Sequence, residues 1–585
     1  MSRTILQPIN IFKRINIFKR INIVERNVKL TLSYVFFGLI IGGCSEQVPE
    51  PGKAKNVSEK SNFQAVYDDI SIDNLKKHIK YLSSDDLAGR EPASKGDRLA
   101  ADYLIKNFKS LGIKPGNGDS YLQKVDLLAI NSSVSQNLKI ADIEFDYPNN
   151  YVANTRKKET LRSIENSELV FVGYGINAPE YNWNDYAGLE VAGKTVVILV
   201  NDPGYATGNP ELFAGKTMTY YGRWTYKYEE AARQGAKAAI IIHETAPASY
   251  GWSVIKNGWA NTQYHLPRTA NSSPVVDIEM WIDVYKTQEL FSKAGLDFAV
   301  EKAKAQVLGF KAVDLGLKVS VEVTSTFKKS GSNNIVATLP GSEASDEHII
   351  YMAHVDHLGQ DKTLEGDQIY NGAHDNASGM AGLLEIARAY ASLNKKSRRS
   401  ITFVGAAAEE QGTLGSKYFA DNPTMPLSKI VGLINMDSLN ILGRKKDISV
   451  KGFGKSDLEE TLATAAQKQN RKLTPESHPE RGYYFRSDHF SLAKKGVPAL
   501  SVGGGSIALN PVEAEIAERI GARVAKCYHQ LCDEYAEDWG WHGAKEDLQL
   551  YLNTGHILAT SDQWPNWYQG TEFRLLRDKM MSSEK

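Results

Sequence analysis

Five candidate metal ligands are spread over positions 354 to 489: His354 in HVDH, Asp375 in AHDNASG, Glu410 in AAAEEQG, Asp437 in INMD and His489 in RSDH. Two imidazoles and three carboxylates are the donors that a pair of zinc ions needs when one carboxylate is shared between them. Glu409, next to Glu410, is placed to act as a base. The chemistry this set implies is hydrolysis assisted by bound metal.

Each residue has a blander reading on its own. A single histidine after a strand is more often structural, but Asp356, two residues after His354, can accept the second ring N–H and fix the tautomer. Asp375 opens a helix, where a carboxylate ordinarily caps; in the company of the other four it reads as the bridge. Glu409 and Glu410 close a buried strand, and two adjacent carboxylates there are costly unless something pairs with them. A metal on one and a hydrogen bond to activated water from the other removes that cost. Asp437 likewise closes the apolar run LINMD. His489 precedes a short helix, with Asp488 beside it as a supporting group. His357, His374 and His478 lie nearby in sequence and are assigned no metal.

The surrounding pattern says what must hold these groups. From about 332, apolar strands (NNIVATL, HIIYMAH, SITFVGAAA, KIVGLINMD, VPALSV) alternate with helices. That alternation implies an α/β fold with a mostly parallel sheet flanked by helices. Ligands of such sheets gather at the carboxyl ends of strands, where His354, Glu409, Glu410 and Asp437 stand. Upstream, Ile72, Leu75, Ile79 and Leu82 recur at helical spacing, as do Ala100, Leu104, Phe108 and Leu111. Residues 151–328 carry a second strand-and-turn pattern with no ligand-like cluster. Four of the nine tryptophans fall in residues 536–585, too many large rings for an exposed tail.

At 585 residues the chain is too long for one ordinary domain, and 42% hydrophobic with 24% charged residues marks it as globular. Lys+Arg and Asp+Glu are both 69, which gives no reason to expect a nucleic-acid partner. Near the N-terminus, Arg26 and Lys29 precede an apolar run at 30–41, which ends in Gly42-Gly43-Cys44. The run is short for a bilayer span and reads as a secretory signal. Cys44 after small residues resembles a bacterial lipobox, which implies export, lipidation at Cys44 and a membrane anchor. The repeat INIFKR–INIFKR–INIVER at 9–26 is assigned no role. Cys527 and Cys532 can pair only if a helix ends between them.

The five motifs, in their order, resemble the bacterial di-zinc aminopeptidases and the glutamate carboxypeptidases of the same clan. The resemblance covers roughly 66–145 and 330–535, and the segment between, with its GYG turn and AARQGAKAAIII run, resembles a protease-associated domain. It implies His354 and Asp437 on one zinc, Glu410 and His489 on the other, Asp375 bridging, Glu409 as general base and a cis peptide at Asp375–Asn376. Tyr483 or Tyr484, with Tyr484 preferred, is the candidate oxyanion donor. The expected layout is a signal region at 1–44 and a tether at 45–65. A first catalytic segment (66–150), an insert (151–328), a second catalytic segment (329–535) and a C-terminal segment packed on it (536–585) follow. The expected function is an exported aminopeptidase with two zinc ions, acting on peptides. A carboxypeptidase of the same clan, or a receptor that kept the fold without catalysis, is the alternative. A carboxypeptidase would need basic residues near the centre, and Arg486 is one.

Overall fold

The computed structural model describes residues 55–270 and 272–582. Cys44 and the apolar run before it lie outside the described residues. No helix among the described residues is long and apolar enough to cross a membrane. The expected tether differs in its last residues: Lys55–Asp68 is helical. Val66 and Tyr67 are buried, and the Phe63 ring stacks on His556 at 3.7 Å, so the end of this segment packs rather than trails.

The strands that frame the molecule are β1 (Leu122–Ile140), β2 (Tyr151–Asn154), β3 (Leu161–Phe171), β4 (Thr195–Leu199), β5 (Ala238–His243) and β6 (Ile278–Asp283). Then come β7 (Val313–Leu339), β8 (Ala344–His354), β9 (Arg399–Ala406), β10 (Ile430–Asn435), β11 (Asp447–Lys451), β12 (Lys472–Pro475) and β13 (Ala499–Gly504). They form one sheet in the order β12-β11-β13-β10-β8-β9-β7-β3-β4-β5-β6-β2, with β1 paired to β7 off this path. Parallel pairing builds both halves, β13-β10-β8-β9 on one side and β3-β4-β5-β6 on the other. Antiparallel pairing belongs to β7 with its partners, to β11 with β13 and to β6 with β2. Helices cover the sheet, so the expected α/β architecture with a parallel core holds.

The strand β7 joins the halves. Its first stretch pairs with β3 and its last five residues pair with β9. At 27 residues it is long enough to serve both. The expected boundary at 328/329 therefore falls inside a strand, and the insert shares backbone hydrogen bonds with the catalytic half instead of hanging from a linker.

Packing on the catalytic side follows the periodicity of the sequence. Helix α1 (Ile72–Leu82), capped by the Ser71 hydroxyl, buries Leu75, Ile79 and Leu82. Together with α2 (Lys95–Ser110) and α3 (Gly379–Ala391) it lies on the core under β8 and β9. The long α4 (Pro511–Cys527) ends at Cys527, which leaves that residue free to form a disulfide with Cys532. The last large helix, α5 (Trp541–Thr560), packs into the same core, and the Tyr351 hydroxyl donates to Tyr551 O at 2.9 Å. Trp539, Trp541 and Trp567 are buried, and the Trp567 indole donates to Gly496 O.

Candidate metal centre

Three neighbouring parallel strands, β10-β8-β9, bring three motifs to one edge of the sheet. His354 ends β8. Glu409 and Glu410 follow β9 after a turn in which Ala408 takes a left-handed φ of 52°. Asp437 follows β10, and Ser438 after it is left-handed at 70°. Such conformations are uncommon away from glycine and are held by the surrounding contacts.

Asp375 arrives from the loop before α3. Its peptide bond to Asn376 is cis. The Asn376 side chain ties this loop to the Asp437 loop: Oδ1 accepts from Ser438 N at 2.9 Å and Nδ2 donates to Met436 O at 3.0 Å. The close approach requires Gly379, because a Cβ there would collide with Asn376 Oδ1 and Met436 O. Asp533 holds the loop from the other side, one oxygen accepting from His374 N and the other from Asp375 N, at 2.9 and 3.0 Å.

The side chains converge in two groups that share Asp375. Donor atoms of His354, Asp375 and Asp437 lie within 4.8 Å of one another, as do those of His357, Asp375 and Glu410. His354 Nε2 is 3.2 Å from Asp375 Oδ1 and 3.5 Å from Asp437 Oδ1. On the far side, His529 Nε2 is 3.1 Å from Asp375 Oδ2 and 3.1 Å from Glu410 Oε2. Asp375 thus offers one oxygen to each imidazole.

Sequence reasoning missed His529, whose Nε2 meets both Asp375 and Glu410, the contacts expected of His489. The His489 ring is fully buried against Tyr484 at 4.6 Å and belongs to neither group. The reason is topological: His489 starts a short buried helix (His489–Ala493) packed against β13 and β10. His529 sits in the turn after α4, closed by Cys527–Cys532. The sequence did hold a signal, a histidine inside CYHQLC, between the only cysteines after Cys44.

Three supporting assignments also change. His354 Nδ1 lies 3.2 Å from the main-chain oxygen of Asp356 and 3.9 Å from its carboxylate. A carbonyl can only accept, so Nδ1 carries the proton and Nε2 is left to face the carboxylates. The Asp356 carboxylate instead accepts from Glu409 N and Glu410 N at 3.0 and 3.2 Å, which fixes the double-glutamate turn. Asp488 is fully buried and hydrogen-bonds to none of the candidate ligands. Tyr484 points into the core and donates to Ala499 O at 3.3 Å, so it does not overhang the centre. Tyr528 does: it is 61% exposed and its ring stacks on His529 at 3.9 Å. His357, buried, holds Glu410 Oε1 at 2.6 Å through Nδ1.

The electrostatics show an excess of negative charge. Burial pushes the Glu409 pKa well up, and Asp437, Asp488 and Glu410 add to it against the opposing charge of His354. Burial likewise lifts Asp356 to about 7 and Asp488 to about 6. Burial would lower His529, but its bonds to Asp375 and Glu410 carry it up to about 10. Burial opposes ionisation of Asp437, yet the bond to His354 brings it down to about 2. Imidazoles whose Nε2 atoms face carboxylate oxygens need a cation between them, either a proton or a metal ion. A mixed nitrogen and oxygen donor set in a carboxylate-rich pocket fits zinc.

Residues 334–552 match the family model described as Peptidase family M28. That span contains every residue of the two groups. The chain is 27% identical over 248 residues to leupeptin-inactivating enzyme 1 of Streptomyces exfoliatus, covering 41% of this chain and 50% of that protein. It is 35% identical over 131 residues to a probable zinc metalloprotease of Pyrenophora tritici-repentis, covering 20% and 29%. It is 27% identical over 237 residues to leucine aminopeptidase 1 of Trichophyton rubrum, covering 37% and 59%. The chain therefore spans about a third to three-fifths of the length of these curated relatives.

Proposed function

We propose that the protein is a zinc-dependent aminopeptidase that uses two metal ions. The observation that carries this reading is Asp375, one oxygen of which faces His354 beside Asp437 and the other His529 beside Glu410. His354 and Asp437 would hold one ion, His529 and Glu410 the other, and Asp375 both. The M28 match and the names of the relatives, one a probable zinc metalloprotease and one a leucine aminopeptidase, point the same way. Zinc bound there would acidify water and polarise the scissile carbonyl.

The chain's own residues supply the rest. Glu409, beside the ligand Glu410, takes a proton from the attacking water and returns it to the leaving amine. Tyr528, over His529, donates its hydroxyl to the oxygen that becomes negative as the carbonyl is attacked. His357 and Asp356 orient Glu410 and the Glu409–Glu410 turn. One of the relatives is named a leucine aminopeptidase. This favours removal of N-terminal residues over the carboxypeptidase alternative. Export and lipid attachment at Cys44 belong to the same proposal, on the strength of the lipobox-like stretch.

The test compares peptides with free and acetylated N-termini, with and without chelator. Chelator-sensitive release from free N-termini alone is the expected result. Equal cleavage of acetylated peptides at their C-termini would replace the reading with a carboxypeptidase.

A further inference from the structure

The turn that carries Tyr528 and His529 is closed by a covalent bond the reaction does not use. Helix α4 ends at Cys527, and His529, two residues on, takes a left-handed φ of 56°. Cys527 pairs with Cys532, five residues along the chain. The residues between them, 528–531, make up a turn. Its main chain is tied only locally: Tyr528 N donates to Val524 O at 2.9 Å, Gln530 N to Cys527 O at 2.9 Å and Asp533 N to Gln530 O at 3.1 Å. Tyr528, Gln530 and Cys532 are exposed, so packing contributes little to holding the turn.

This short ring reaches the metal centre. Inside it, His529 Nε2 stands 3.1 Å from Asp375 Oδ2 and 3.1 Å from Glu410 Oε2. Just past it, the Asp533 carboxylate accepts from His374 N and Asp375 N, and Asp533 O accepts from Ala373 N at 3.0 Å. The other group depends on the sheet instead, since His354 ends β8 and Asp437 follows β10. The Asp375 loop also keeps its separate ties from Asn376 to Ser438 and Met436. The stabilisation gained by closing a ring grows with its length, so a ring this short is a weak staple for the whole fold and acts locally. Its two ends differ in access: Cys532 is exposed and Cys527 is buried.

We propose that the Cys527–Cys532 disulfide positions His529 for the second zinc ion, and that a dithiol which opens the bond releases that ion. The inference rests on the two-zinc reading and adds to it a dependence on redox state. A thiolate of the dithiol attacks the exposed Cys532 sulfur and forms a mixed disulfide there. The Cys527–Cys532 bond breaks, and its electron pair leaves on Cys527. The second thiolate of the dithiol then displaces Cys532, and the dithiol departs as its own disulfide. Each released cysteine sulfur takes up the proton its attacker lost. The turn has then lost its cross-link, and His529 is no longer held against Asp375 and Glu410. Both cysteines are positioning residues, and the centre is complete only where disulfides persist.

The experiment dialyses three forms of the full chain against one low zinc concentration. They are the oxidised wild type, the wild type reduced with dithiothreitol and freed of it under nitrogen, and the double variant Cys527→Ser, Cys532→Ser. Zinc is counted by mass spectrometry and thiols by maleimide labelling. About two ions are expected in the oxidised chain and about one in each of the others, the second ion being held about 10–100-fold more weakly. Reduction should add two thiols, and reoxidation should restore the second ion to the wild type alone. Dithiothreitol itself binds zinc, so the double variant is given the same treatment and should keep its one ion. Two ions in the double variant, or in wild type with the new thiols exposed, overturn the positioning role. No new thiols under native conditions overturn release by a dithiol. Loss of both ions, with the thermal midpoint of the zinc-free chain lowered by more than about 5 °C, would make the bond a staple of the fold and overturn the proposal as well. Fewer than two ions in the oxidised wild type refutes the two-zinc reading itself, and the inference falls with it.

Discussion

Arg90 offers a test of how the ligand loops are held. It is 1% exposed, in the loop between α1 and α2. Its Nε donates to Val355 O at 2.9 Å, one Nη to Leu82 O and to Asn371 O at 2.7 Å, and the other to Gly372 O at 2.9 Å. Val355 follows His354, and Asn371–Gly372 lead into Asp375, so one side chain spaces two ligand loops. Gly372 leaves no room for a substitute contact, since a Cβ there would collide with Asp375 O. Arg90→Met keeps the bulk and removes the donors. Each buried acceptor left without a partner costs about 1–3 kcal/mol, so four at the low end sum to about 4 kcal/mol. For a folded unit of roughly 500 residues, whose unfolding entropy is about 1.1 kcal/mol/K, a loss of that size lowers the thermal midpoint by roughly 4 °C. Disturbed spacing of the loops should also weaken zinc binding about 10–100-fold. Differential scanning calorimetry and zinc titration of the variant check both. A midpoint within about 2 °C of wild type with unchanged zinc affinity would refute the idea that Arg90 sets the loops.

Two further outcomes follow from the same geometry. Glu409→Gln removes the base but none of the ligands, so metal content should stay at the wild-type level while kcat falls about 10²–10⁴-fold; near-normal kcat would end the base assignment. His78, 8% exposed and bonded to the Tyr103 hydroxyl, is held down to about 4 by burial, against an ordinary value of 6.5. A histidine with a lowered folded pKa stabilises fully above 6.5, and that stability drains as pH falls toward 4. The fold should lose about 2 kcal/mol between about pH 7 and pH 5 through this residue. His78→Gln should flatten the slope in urea melts at the two pH values, and an unchanged slope would exclude His78 as its source.

Much of the catalytic half was legible because its signals are local. His354, Glu409, Glu410 and Asp437 each close a run of apolar strand residues, and neighbouring parallel strands deliver such positions to one edge. Asp375 was legible only in company, since a carboxylate before a helix usually caps it. In the structure α3 starts four residues later, and the Asp375 side chain is turned to His354 and His529. His529 and Tyr528 gave no periodic signal. They sit in a turn after an amphipathic helix, and only the long return of α4 to the sheet edge brings them to the centre. Tyr484 and His489 were placed near the centre by proximity along the chain, and a short helix turns them into the core. The strand β7 was also hidden: a strand long enough to pair with two sheet halves looks like two strands when read by its alternation.

In the proposed two-metal centre around Asp375, His529 rather than His489 completes the ligand set. The direct measurement is zinc content by mass spectrometry of the purified wild-type chain, His529→Ala and His489→Ala, each dialysed against the same low zinc concentration. About two ions per chain are expected in the wild type and in His489→Ala, and about one in His529→Ala. Loss of an ion from His489→Ala with two retained in His529→Ala would contradict it.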